Sequence, residues 1–145
     1  MDKKGRTIVV ATVGRYRIVR ENVCVGNTVQ NIRFMGVKFP SWHAEIRILH
    51  TLLRKRKLLR IAQCKGVHMV VLRYNSKGKL ARTSKPCKSC LAVLHSVAER
   101  YRIHFSIEFL QNGVLYSLCV TGGRCDEGGL YQARNACAVQ DEILR

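Results

Sequence analysis

The chain has 145 residues, of which 47% are hydrophobic and only two are proline. This composition excludes a disordered basic tail, and no apolar run approaches the roughly 20 residues that a membrane-spanning helix needs. Lysine and arginine number 26 against nine acidic residues, a net charge of +17; such a field attracts polyanions, of which nucleic acid is the commonest, and serves docking on an acidic protein or a membrane surface equally well.

Thr7 to Val13 is β-branched and apolar and predicts a strand. Arg15 to Val25 alternates loosely through Tyr16, Ile18 and Val23 and predicts its hairpin partner, with Gly14 at the turn. Gly26-Asn27 opens a loop or a further extended stretch reaching Phe39-Pro40. Ser41 then caps a helix on which Ile46, Leu49, Leu52 and Leu53 share one face, in a region that ends at Gly66. Val67 to Tyr74 is apolar almost throughout, as a central strand is, and Asn75 to Gly78 reads as a turn. Pro86 suits the first turn of a second helix, whose buried stripe is Leu91, Leu94, Val97, Ala98 and Tyr101. Ile103 to Leu110 and Val114 to Val120 flank Gln111-Asn112-Gly113, the strongest short hairpin signal in the chain. Beyond Gly122-Gly123 the pattern weakens, with Ala133 to Leu144 expected as a short last helix. The order β-β-α-β-α-β-β predicts a mixed sheet of about five strands with helices on its faces, in one α/β domain over residues 1–145. Its core covers about residues 7–120, and residues 121–145 form a C-terminal extension.

Two short motifs carry chemistry. His43-Ala44-Glu45 falls at the start of the first helix, and Pro86-Cys87-Lys88-Ser89-Cys90 at the start of the second. Zinc takes imidazole and thiolate ligands in a tetrahedron, and a catalytic site leaves one position to water. Cys87 and Cys90 are three apart, so both sulfurs lie on one side of a first helical turn, where the positive helix end favours thiolate. Glu45, two residues from His43, is placed to carry a proton for water at the vacant position. Read alone, C-x-x-C is also compatible with a structural zinc knuckle or a redox pair.

H-A-E followed by P-C-x-x-C resembles the signature of the cytidine and deoxycytidylate deaminase superfamily. The resemblance implies a three-layer cytidine deaminase-like fold. It implies one Zn2+ per chain on His43, Cys87 and Cys90, and Glu45 as general acid and base. It also implies hydrolytic deamination of a cytosine-type base in a nucleoside, nucleotide or single-stranded nucleic acid. Superfamily members often hold the sugar with an asparagine before the first motif, which makes Asn27 and Asn31 candidates. Ala44 and Pro86 are expected beside the substrate, and Trp42 is a candidate for stacking on the base. The short 111–113 turn leaves no room for a helix between the last strands, a feature of members that act on free nucleosides; the +17 charge points toward a polymer instead.

Arg54-Lys55-Arg56-Lys57 with Arg60 is the densest basic run, suited to phosphates or to a nuclear signal, or else simply a solvated helix face. Seven cysteines, an odd number, and no secretory leader pattern predict reduced thiols in an intracellular protein, cytoplasmic or nuclear. The second functional reading is a non-catalytic structural or nucleic-acid-binding protein on the deaminase fold, for example a viral particle component located in the virion. The resemblance makes a homo-oligomer or larger assembly one possibility, since members of the family often assemble, while the sequence itself leaves the oligomeric state open.

Overall fold

The computed structural model describes residues 5–22, 32–39, 42–121 and 124–132. Its main sheet has six strands in the order β2-β1-β5-β6-β7-β8. These are β1 (Arg6–Val13), β2 (Tyr16–Glu21), β5 (Val67–Tyr74), β6 (Phe105–Gln111), β7 (Val114–Thr121) and β8 (Arg124–Gln132). A small hairpin, β3 (Ile32–Phe34) with β4 (Val37–Phe39), stands apart. Every pairing in the main sheet is antiparallel except β5 with β6, so the sheet is mixed, as the order of elements predicts. The helices are α1 (Ala44–Arg54), α2 (Arg56–Lys65) and α3 (Lys88–Tyr101).

Strand periodicity decides what the sheet buries. Val9, Ala11 and Val13 of β1, Met69 and Val71 of β5, and Phe105, Ile107 and Phe109 of β6 share one core cluster with Ile46, Leu49 and Leu52 of α1, Ala62 of α2 and Val93, Leu94 and Val97 of α3. All three helices therefore lie on one face of the sheet, and the described residues supply two of the layers expected. Removing one of these side chains, as in Leu49→Ala, costs about 2–5 kcal/mol.

The first helical region is not continuous. It begins at Ala44 with His43 in the cap position, later than a cap at Ser41 would start it, and it breaks at Lys55 (φ −110°, ψ 104°). The cause is register. Continued at 3.6 residues per turn past Leu49 and Leu52, the core-facing positions would be Arg56 and Arg60. The break resets the phase so that Leu58 and Ala62 turn inward. The second helix also starts later than expected: Pro86 precedes it and Cys87 is its N-cap.

The β6–β7 hairpin forms as expected, with Asn112 (φ 54°) and Gly113 (φ 79°) as its two turn residues, both in the left-handed region that this tight turn requires. β8 is a strand in the segment assigned to the C-terminal extension. Its sequence, Arg124-Cys125-Asp126-Glu127-Gly128-Gly129, carries charges and glycines that hide a strand signal, and such residues are common at sheet edges. The expected helix over Ala133 to Leu144 lies outside the described residues, as do Asn27, Asn31 and Ser41.

Candidate metal centre

Parallel strands β5 and β6 part at their C-terminal ends, and the chain between β5 and α3 fills the gap. Ser84 is the wedge. Its hydroxyl donates to the Val71 carbonyl at 2.7 Å and accepts from the Leu110 amide at 2.8 Å, while its own amide donates to the Leu110 carbonyl at 2.9 Å. Three residues later the chain enters α3 at Cys87. Open α/β sheets bind ligands where neighbouring strands diverge in this way.

Here α1 and α3 begin side by side. His43 Nδ1 lies 3.3 Å from Cys90 Sγ and 3.7 Å from Cys87 Sγ, and the three donor atoms all fall within 4.8 Å of one another. Zinc bonds of about 2.3 Å to sulfur and about 2.0 Å to nitrogen, at tetrahedral angles, separate donor atoms by about 3.5–3.8 Å. The donor set and its spacing fit such an ion, so these three residues are able to hold a metal. Cys87 also caps α3, its sulfur accepting from the Cys90 amide at 3.4 Å.

The ionisation of the site is shared. Hydrogen bonds from the Cys90 thiol, from His43 and from the Cys90 amide hold the Cys87 thiol down at about 4, against the opposing effect of burial. Cys90 is pushed up, first by its bond to Cys87, then by burial and the charge of Glu45. His43 is raised, chiefly by its hydrogen bond to Cys87. A bound cation would compete with protons for these donor atoms, because metal binding requires the thiolate and neutral imidazole forms. Glu45 is only 5% exposed, and burial raises its carboxyl above the ordinary carboxylate range.

A cavity of about 290 Å³ opens over this cluster, lined by Gly5, Thr7, Asn22, His43, Ala44, Glu45, Arg73 and Cys87. It joins the start of β1, the end of β2, the end of β5 and the two helix starts. Pro86 is buried immediately behind Cys87. Four lining residues escape sequence reasoning: Gly5, Thr7, Asn22 and Arg73. Strand register is the signal that finds them, because Thr7 pairs with Arg73 and Asn22 exchanges two bonds with Thr7: the Thr7 amide donates to Asn22 Oδ1 at 2.8 Å and the Asn22 amide to the Thr7 carbonyl at 3.0 Å.

Trp42 is not among these lining residues. It belongs to a second cavity of about 380 Å³, with Arg20, Arg47, His50 and Thr51. Arg54, Lys55, Arg56, Lys57 and Arg60 are all exposed, around the break between α1 and α2. Among the described residues, no helix is long and apolar enough to cross a membrane. No family model, curated protein or solved structure matches the chain.

Proposed function

We propose that this chain is a zinc-dependent deaminase of the cytidine deaminase superfamily, hydrolysing the exocyclic amino group of a cytosine-type base. The observation that carries the reading is Glu45: a buried carboxyl with a raised pKa, lining the same cavity as a His–Cys–Cys cluster with zinc-like spacing. A purely structural metal site gives no reason to bury an acid beside it. His43, Cys87 and Cys90 would hold a zinc ion, which would supply the acidity that activates a water. Glu45 would accept one proton of the attacking water and give it to the ring nitrogen as the water oxygen bonds the amino-bearing carbon, then carry the second proton of that oxygen to the amino group, which leaves as ammonia as the carbonyl forms. Asn22 and Arg73, on the cavity rim, are the residues we assign to the sugar and to the pyrimidine carbonyl or a 5′-phosphate.

The test is direct. Purified protein should carry about one zinc per chain and release ammonia from at least one of cytidine, deoxycytidine, their monophosphates or single-stranded DNA. Glu45→Gln should keep the metal and lose at least about 100-fold in kcat, whereas Cys90→Ala should lose metal and activity together. Zinc-loaded wild type that is silent on the whole panel overturns the proposal. A second reading, a non-catalytic nucleic-acid-binding protein on the same fold, draws on the exposed run Arg54 to Lys57. It predicts that Glu45→Gln changes nothing while neutralising that run removes function.

A further inference from the structure

The cavity beside the metal centre has its own chemistry. On α1, Arg47, His50 and Thr51 stand at i, i+3 and i+4 and form a stripe separate from the core-facing Ile46, Leu49 and Leu52. Arg20 of β2 and Trp42, just before α1, complete a depression of about 380 Å³, within the usual range for small-molecule sites. Two of its walls are rings. Trp42 and His50 lie with centroids 5.6 Å apart and planes tilted by 56°, and Phe34 packs edge-on against His50 from 6.3 Å. The aromatic wall is therefore held in place before any ligand arrives.

The charge of Arg47 reaches the Glu21 carboxylate, but among the described residues neither cation of this depression is held in a salt bridge. Arg20 donates to the Val19 carbonyl at 2.8 Å and Arg47 to the Glu21 carbonyl at 2.7 Å. Each guanidinium has five N–H donors. Glu21, whose carbonyl Arg47 holds, commits both carboxylate oxygens to Arg6 at 2.6 and 2.9 Å. Thr51 donates its hydroxyl to the Arg47 carbonyl at 3.0 Å and retains acceptor capacity. Two half-buried guanidiniums beside two fixed rings match a phosphate next to a flat heterocycle.

We propose that Arg20, Trp42, Arg47, His50 and Thr51 form a nucleotide-binding site distinct from the metal cavity, taking the phosphate on the two arginines and stacking the base on the Trp42–His50 wall. The nucleotide is either a free mononucleotide or one unit of a single strand whose neighbouring unit enters the metal cavity. The two cavities are close enough for the latter: Ala44 lines one and Arg47 the other, about 4.5 Å further along the α1 axis. The site stands without the deaminase reading, because its test needs no turnover.

Trp42 is the single tryptophan of the chain, so intrinsic fluorescence and one indole N–H resonance report on this cavity. The probes are cytidine and adenosine 5′-monophosphates, a single-stranded oligothymidylate, adenosine without phosphate, and ribose 5-phosphate without base. The nucleotides should quench Trp42 saturably and shift its indole signal, with adenosine and ribose 5-phosphate each at least about tenfold weaker. Arg20→Ser, on a strand position that makes no side-chain bond to another element, should weaken nucleotide binding about tenfold with its melting temperature preserved. A strand bound more tightly per site than the mononucleotides identifies a polymer as the source; the reverse identifies a free nucleotide. Ribose 5-phosphate or adenosine binding as well as the nucleotides overturns the proposal. So does nucleotide quenching that Arg20→Ser leaves unchanged, or an indole resonance in the wild type that no nucleotide moves.

Discussion

A single sulfur at Cys87 faces two demands, as cap of α3 and as part of the donor cluster, and both favour the thiolate. The Cys90 thiol above all, then the His43 ring and the backbone amide of Cys90, favour the thiolate and hold its pKa down at about 4. Below its pKa an ordinary thiol loses about tenfold in thiolate, and hence in alkylation rate, for each unit of pH. Cys87 is already ionised above about pH 4, so in metal-free protein its rate of carboxymethylation by iodoacetate should stay nearly flat between pH 5 and 8, followed by peptide mapping. Added zinc should protect it. A rate at Cys87 that climbs tenfold per unit through this range removes the shared-proton picture of the cluster. At this scale the sequence was most legible. The C-x-x-C spacing puts the Cys87 and Cys90 sulfurs on one side of a helical turn, but that His43 joins them was legible only from the pairing of the two motifs. The cap role was not legible, because it depends on whether α3 begins at Pro86 or two residues later. Asn22 and Arg73 were hidden for a different reason: their place at the cavity follows from strand pairing, which no local pattern encodes.

Ser84 shows what holds the metal cavity open at the level of elements. The split between β5 and β6 strands the Val71 carbonyl and the Leu110 amide, and one hydroxyl satisfies both. Ser84 is 1% exposed, so Ser84→Ala leaves two buried backbone groups unpaired and should cost about 1–3 kcal/mol in chemical denaturation. Because the next residues lead into Cys87, the same variant should also weaken zinc binding measured by competition with a chelator. Full stability in Ser84→Ala shows instead that water replaces the hydroxyl. The elements themselves were largely readable: β1, β2, β5, the β6–β7 hairpin and both helix regions follow from period 2, period 3.6 and Asn112-Gly113. The break at Lys55 was not, since helix propensity favours lysine and arginine throughout. Only the phase conflict between Leu49–Leu52 and Leu58–Ala62 reveals it. β8 was missed because its charges and glycines lower every local strand signal, and pairing with β7 supplies what propensity withholds.

Net charge is a property of the whole molecule, and its cost falls on one place in particular. Like charges repel across a +17 chain, and at the start of α2 they also oppose the helix dipole. Lys55, Arg56 and Lys57 sit at the positive end of that helix, whose first turn has no acid. Among the described residues, Lys57 alone of the three gains a partner, the Tyr16 ring at 5.9 Å from its ammonium. A solvated face selected for stability alone would not collect cations there. Replacing Lys55 and Arg56 by glutamine should therefore raise the melting temperature, by an amount equivalent to about 0.5–1 kcal/mol for two unfavourable end charges. If the ridge exists to meet phosphates, the same pair should weaken single-strand binding and flatten its dependence on the logarithm of salt by about 0.7 for each phosphate no longer neutralised. Opposite signs in the two measurements mark residues kept for binding at the expense of folding. A double variant that is less stable and binds a strand as wild type does makes the ridge an ordinary helix surface. The polymer reading would then rest on the Arg20–Trp42–Arg47 cavity alone.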